Sequence, residues 1–451
     1  MGVDEKERED LKWGNVTYAF RWNHKLSDRL FSNLTLICSL YRFKLGTIID
    51  YQYSAPREDE ANIYRENKYY SNIADLGAKM DYNFYINNNH MVRYGVNFTH
   101  HILHPGESVY KSNTVPDTTF GTRQLYLDEF YMYAENDFSL TQSTKINIGV
   151  NFSGAFTESK LYPNLQPRVS INQKLSSRLS LKLSYARMAQ YIHLLVNSGV
   201  GLPTDLWVPS TDEVKPQLSD QVAFGMAASL FGFELSTETY YKYMKNLIEY
   251  KDGAGFLDIT NEWVDKIEFG TGYSYGIEFL LQHKLGRSTG WIGYTWSKSN
   301  RDFKNLNFGK EFPYRYDRRH DISLVYNYKI NERIDLGAVW VFGTGNPVTL
   351  PVSTYPKASW NSSQSDYEGF VKNYPGRNSS RMKNYHRLDV SVSFTKEKKW
   401  GQRKWVFGVY NAYSHLNPTF ISFSNENPSE RGFKQVSLFP IIPNVSYQFK
   451  F

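Results

Sequence analysis

Cysteine is nearly absent: Cys38 is the only one in 451 residues, which excludes a disulfide framework and any multi-cysteine metal site. Long apolar runs are missing too. No uncharged stretch approaches ~18 residues and the mean hydropathy is −0.53, so the chain cannot cross a membrane with helices. No Gly/Ser/Pro-rich linker or shift in composition divides it, and residues 1–451 read as one domain. The net charge of +7 is scattered and forms no stripe, which argues against a nucleic-acid partner. Gly-x-Ser-x-Gly, His-Glu-x-x-His and a phosphate-cradling glycine loop do not occur, so neither catalysis nor a cofactor is expected.

Aromatic residues are plentiful, at 16% of the chain with 35 Tyr and 29 Phe, and they recur in a period of two. Val445, Tyr447, Phe449 and Phe451 alternate with Ser446, Gln448 and Lys450. The same alternation marks Ile146 to Phe152, Leu179 to Tyr185, Tyr275 to Leu281, Ile322 to Tyr328, Ile334 to Trp340 and Leu388 to Phe394. A strand of roughly ten residues that is apolar on one face and polar on the other suits a bilayer outside and water inside. In such a fold only every second residue meets lipid, so low mean hydropathy and many aromatics coexist. The fold class predicted is all-β, a transmembrane antiparallel β-barrel.

Connections alternate in length. Ile86–Asn89, Lys174–Arg178, Phe231–Phe233, Lys284–Arg287 and Lys329–Arg333 read as tight hairpins, while residues near 50–68, 104–121, 190–217, 248–268, 301–315 and 343–381 read as long loops rich in proline and charge. Short turns on one side and long loops on the other are the pattern of bacterial outer-membrane barrels. The count is about 17 strands, and an odd number does not close an all-antiparallel barrel. Five or so N-terminal strands of an about 22-stranded barrel are therefore expected to be missing, with whatever preceded them. Met1 to Asp10 is charged and lacks the apolar core of a signal peptide, so the chain is either cytosolic or its natural start lies upstream.

The order and spacing of several segments resemble the TonB-dependent outer-membrane receptors, in the form common among Bacteroidota. They are Trp13-Gly14-Asn15, Leu165-Gln166-Pro167-Arg168, Gln190-Tyr191-Ile192-His193 through Pro203 to Pro209, Tyr275-Gly276-Ile277-Glu278, Gly290 to Thr295, Tyr316 to Asp321 and Leu438 to Pro443. The resemblance spans nearly the whole chain. It implies a bacterial outer-membrane location, a barrel filled by an N-terminal plug that is absent from this sequence, and TonB-energised uptake of a scarce extracellular ligand such as a ferric chelate or an oligosaccharide. The partners it implies are outer-membrane lipid and lipopolysaccharide, the TonB complex through the missing plug, the outer-membrane assembly machinery reading the terminal Phe451, and a surface lipoprotein.

Ligand contact is expected on the loops near 190–217 and 343–381, through Trp207, Tyr355, Trp360, Tyr367 and Tyr374, whose faces stack on rings or cations. Arg318 and Arg319 could grip an anion by charge-assisted hydrogen bonds, or be tied down by Asp317 and Asp321. His100, His101 and His104 form the one cluster of metal-binding type, but adjacent strand residues face opposite ways and no carboxylate or cysteine sits at a supporting spacing, so no metal site is expected. Trp291, Trp296, Trp340, Trp400 and Trp405 lie near strand ends and are assigned to the interfacial girdles. Two other readings remain open: a passive or degenerate stand-alone barrel, which needs an even strand count, and a soluble binding protein, which needs Ile146, Ile148, Val150 and Phe152 buried against a second sheet.

Overall fold

The computed structural model describes residues 3–53, 63–113, 116–121, 124–197, 205–255, 262–356, 370–424 and 432–451. Its main sheet holds 19 strands, of which Thr118–Gly121 and Phe312–Pro313 only extend the upper ends of their neighbours, leaving 17 staves. In chain order these are β1 (Val3–Lys25), β2 (Leu30–Tyr53), β3 (Ile63–Asn87), β4 (His90–Ser112), β5 (Leu125–Ser139), β6 (Thr144–Phe156), β7 (Leu161–Lys174), β8 (Leu179–Gln190) and β9 (Gln217–Leu230). They continue with β10 (Phe233–Tyr250), β11 (Ile267–His283), β12 (Ser288–Asp302), β13 (His320–Lys329), β14 (Ile334–Gly343), β15 (Tyr385–Lys398), β16 (Gly401–Tyr410) and β17 (Ile442–Lys450). Each stave pairs antiparallel with the next in sequence, an uncrossed meander. No helix among the described residues is long and apolar enough to cross a membrane.

Register assigns every side chain to a face. Val150 lies opposite Ala134 and Pro167, and Phe152 opposite Met132 and Leu165, so one face collects apolar residues from three staves. The other face gathers Asn147, Glu135, Arg168 and Asp137, where Arg93 bridges Glu135 and Asp137, both at 2.5 Å. Ile148, Val150 and Phe152 are 51%, 40% and 38% exposed, and no second sheet among the described residues covers them. A bare apolar belt around a polar interior is stable only with hydrocarbon outside. Trp296, Trp340 and Trp405 sit on that outer face. Trp291 does not: its partners Gln282 and Val325 place it on the inner face, because it is one residue out of phase with Ile292.

The hairpins at the short-turn end form where expected. Phe231 and Gly232 join β9 to β10 with φ of 51° and 81°, the left-handed pair that a two-residue turn between twisted strands requires. At the opposite end two expectations fail. Much of 50–68 and most of 104–121 is strand rather than loop, because β2 continues to Tyr53, β3 begins at Ile63 and β4 runs to Ser112. Pro105 is tolerated within β4 by a bulge, where the register slips between Tyr70 and Asn72. Tyr69 Oη donates to the Pro105 carbonyl at 2.8 Å and lies so close to Gly106 that a Cβ there would collide with it.

The buried core is not in the middle of the sheet but at its long-loop end, in clusters built from loop residues and the upper inner faces of the staves. Terminal staves β1 and β17 each pair with one neighbour among the described residues, and the side chains of Lys12–Lys25 and Ile442–Lys450 are exposed.

Candidate functional site

The loop between β8 and β9 folds inward. Ile192–Leu195 and Leu206–Pro209 pair as a hairpin, and Leu195, Leu206, Val208 and Val214 are buried against Tyr69 of β3 and Ile248, Tyr250 and Ile267 of β10 and β11. At its base Tyr191 packs on Leu103, Leu127 and Ala155, the inner faces of β4 to β6, and its hydroxyl shares a 2.7 Å hydrogen bond with Ser153. Burying a large apolar side chain contributes about 1.5–3 kcal/mol, so several such contacts can hold a segment that carries little regular structure of its own. The hairpin thereby reaches from its own staves to β3 on one side and β10 and β11 on the other, across the mouth.

Polar groups fix its ends. Buried His193 sits between Gln217 Nε2, which donates to Nδ1 at 3.0 Å, and Ser210 Oγ, 3.1 Å from Nε2. Burial drives its pKa down to about 4, so it is neutral. A Ser–His pair of this kind could serve as nucleophile and base, but both residues are buried and no substrate reaches them. Asp205 accepts from the Asn197 amide at 3.2 Å and from the Tyr316 hydroxyl, which joins this loop to the one preceding β13. Burial raises the pKa of both Asp205 and Tyr316.

Around that latch lies a buried cationic and aromatic lining. The Arg301 guanidinium carbon is 3.8 Å from the Tyr314 ring centroid, with no carboxylate within ion-pair distance among the described residues. Arg315 donates to the Pro347 carbonyl at 3.2 Å. Arg377, from the loop between β14 and β15, pairs with buried Glu249 at 3.0 Å and Asp252 at 3.2 Å and donates to the Tyr250 carbonyl at 2.9 Å. Desolvation raises the Glu249 pKa even so. Arg301 and Arg377 are buried and brace the fold, while Tyr41, Phe43, Tyr69 and Trp207 continue the aromatic lining beside Asp205 along β2 and β3.

The residues predicted for ligand contact fall in different places. Trp207 lies on the hairpin, beside the β2 and β3 wall. Arg318 pairs with Asp321 at 2.9 Å, Arg319 with Asp317 at 3.3 Å, and Asp317 is held further by Arg381. The structure thus places both arginines in the ties at the rim. Tyr355 and Tyr374 are exposed, at and just after the small hairpin Ser353–Pro356/Phe370–Asn373, away from Trp207's wall. Trp360 and Tyr367 lie outside the described residues. His100 points outward to Asp128 at 2.7 Å, His101 inward to Asp75 at 2.8 Å, and His104 meets Asn72, so the three do not converge. Sequence reading assigned no role to Arg301, Asp205, Tyr314 or Glu249. Arg301 and Glu249 are charges at the ends of long strands, whereas Asp205 and Tyr314 lie in loops, Asp205 within the Pro203 to Pro209 segment.

Residues 3–412 match the family model described as TonB dependent receptor-like, beta-barrel. Among solved structures, the chain is similar to the ferric-catecholate import receptor Fiu of E. coli K12, at 15% identity and a TM-score of 0.62 over 98% of this chain and 64% of that one. It is similar to the copper transporter OprC at 10% identity and a TM-score of 0.60, over 98% of this chain and 72% of that one. The receptor FpvA of P. aeruginosa, solved with a ferric pyoverdine, gives 12% and 0.60 over 96% and 55%. At these identities the likeness is one of fold. The chain spans about two thirds of the length of the receptors it matches, and no curated protein matches it.

Proposed function

The chain belongs to the TonB-dependent receptor β-barrel family, and from that premise we propose that it forms the outer-membrane wall and ligand vestibule of a receptor for TonB-energised uptake. The family consists of receptors and transporters of the bacterial outer membrane, not enzymes. The observation that supports the proposal is the in-folded hairpin at the long-loop end, which carries Trp207 and is latched through Asp205 to Tyr316, with Tyr314 and Arg315 beside it. A receptor needs a concave, aromatic and charged seat, and the hairpin supplies aromatic and cationic groups at the long-loop end.

The ligand proposed is a ferric chelate with aromatic, partly anionic groups, since cations and tyrosines line the seat and the solved relatives include ferric siderophore receptors. A plug and further strands outside these residues would complete the barrel, because 17 antiparallel staves bring first and last together in the wrong sense. The plug would then be the part that meets TonB.

Equilibrium titration of the detergent-folded chain tests this, reading the part of the tryptophan fluorescence change that Trp207→Phe removes, against a ferric catecholate and, separately, a neutral oligosaccharide. Saturable quenching by the chelate, weakened at least tenfold in Arg315→Gln, is expected. Saturation by the oligosaccharide alone would overturn the ligand assignment.

A further inference from the structure

The short-turn rim is uneven. The β3–β4 turn has two residues, Asn88 and Asn89, whereas the β1–β2 turn on one side has four, Leu26 to Arg29, and the β5–β6 turn on the other has four, Leu140 to Ser143. The short turn therefore forms the floor of an open notch of about 1080 Å³, large enough for a ligand of several rings. Hydrogen bonds fix its walls: the Tyr85 amide donates to the Arg29 carbonyl at 2.8 Å, Arg29 Nη1 to the Ile86 carbonyl at 3.3 Å, and the Ser139 amide to the Asn89 carbonyl at 2.9 Å.

Rings and amides line this notch. Phe31 and Tyr85 meet edge to face at 5.9 Å, both exposed, and Phe138 lies 6.1 Å from the His90 ring. Asn87, Asn88, Asn89 and Asn136 stand beside them. His90 Nε2 and Asn136 Oδ1 are shielded from solvent without a hydrogen-bond partner among the described residues, a capacity that a polar guest seated against them takes up. Asp28 is paired with Lys25 at 2.6 Å, so the charge left at the lip is that of exposed Arg29. A second recess of about 510 Å³ lies beside the two-residue β9–β10 turn, but Ser176, Ser177, Ala227 and Ala228 are among its walls and no aromatic ring of the described residues is. Uneven turn lengths account for both hollows and not for the chemistry of the first.

Aromatic faces stack on the C–H faces of pyranose rings, and planar side-chain amides pair with hydroxyl and acetamido groups. We propose that the notch binds an acidic glycan of N-acetylated amino sugars on the periplasmic side, where the short turns of an outer-membrane barrel lie, with Arg29 meeting the carboxylate. The side of the membrane rests on the outer-membrane reading above, while the site itself is separate from the vestibule at the opposite end.

The chain, folded in a detergent without a sugar headgroup, would be titrated calorimetrically with a tetrasaccharide of alternating N-acetylglucosamine and N-acetylmuramic acid, with chitotetraose, and with maltotetraose. Saturable binding of the acidic tetrasaccharide is expected, at least threefold weaker binding of chitotetraose, and none of maltotetraose. Tyr85→Ala should weaken the acidic tetrasaccharide at least tenfold and Arg29→Gln should bring it level with chitotetraose, while Ser177→Ala in the second recess leaves it unchanged. No saturation by the acidic tetrasaccharide, equal saturation by maltotetraose, or unchanged affinity in Tyr85→Ala would overturn the site. Should Tyr85→Ala fail to fold, Asn88→Ala in the exposed turn is expected to weaken binding at least threefold, and full affinity there would count equally against it. Chelate titration on the same preparation separates this failure from failure of the receptor reading, since Tyr85 and Trp207 lie at opposite ends of the staves.

Discussion

The first four staves and the last few solve one problem in opposite ways. β1 to β4 run 23, 24, 25 and 23 residues, whereas β13, β14 and β16 run 10 and β17 runs 9. Roughly ten residues cross the hydrocarbon, so the early staves stand well above it as a wall, and their backbone groups stay paired in the ladder. The late staves stop at the rim and hand over to loops, whose backbone groups need side-chain partners. Asn378 donates to the Pro313 carbonyl at 2.9 Å and exchanges bonds with Thr349, while Asn411 serves the carbonyls of His415 and Phe439 at 2.9 and 3.0 Å. The difference teaches that structure at the long-loop end can be held by backbone pairing or by buried polar side chains, and that the second is the more vulnerable to single substitutions.

Several measurements would break or sharpen that contrast. The largest effect is expected at Arg377: Arg377→Met leaves Glu249 buried without its cation and should lower unfolding free energy by about 3–5 kcal/mol in urea titrations of the folded chain. Adding Glu249→Gln should recover much of the loss, and a cost below 1 kcal/mol would show that side chains do not hold the late loops.

Next comes acidification. His193 has its pKa depressed from 6.5 to about 4, so its contribution is complete above pH 6.5 and fades as pH falls toward 4. The loss should reach about 3 kcal/mol, visible as lower amide protection, corrected for the intrinsic pH dependence of exchange, in 191–197 and 205–216 but not in β1 to β4. A flat profile between pH 7 and 4.5 would contradict the buried placement. Tyr69→Phe, which removes one bond to the Pro105 carbonyl in the wall, should cost about 1–2 kcal/mol in the same titration. The smallest effect is expected at the short-turn end, where Glu234→Gln breaks an exposed pair with Lys284 and should change stability by about 0.2–1 kcal/mol or less.

Much of the architecture was legible in the sequence because lipid imposes a strict period of two. Where lipid contact held, as along Ile146 to Phe152 or Leu388 to Phe394, alternation located the strand and its outward face. Where it ended, the signal went with it. Above the belt the outer faces of β2 and β3 carry charge while inner residues such as Tyr69 and Leu103 pack on the loops, so the lipid-set pattern fades and these charges and Pro105 read as loop although the ladder continues. Trp291 was misplaced by a single residue of phase. The ties of the vestibule were illegible for a different reason: Arg377 and Glu249 are 128 residues apart, and Asp205 and Tyr316 are 111 apart, with nothing local to mark either partner.

The bridge formed by the hairpin and its Asp205–Tyr316 latch also bears on mechanics. Because it grips β3 on one side and β10, β11 and the loop before β13 on the other, it works as a tie-beam across the span. On the receptor reading proposed above, a large guest would have to unseat the beam before passing, so traffic through the opening should be paced by the lifetime of that bracing rather than by the width of the hole beneath it.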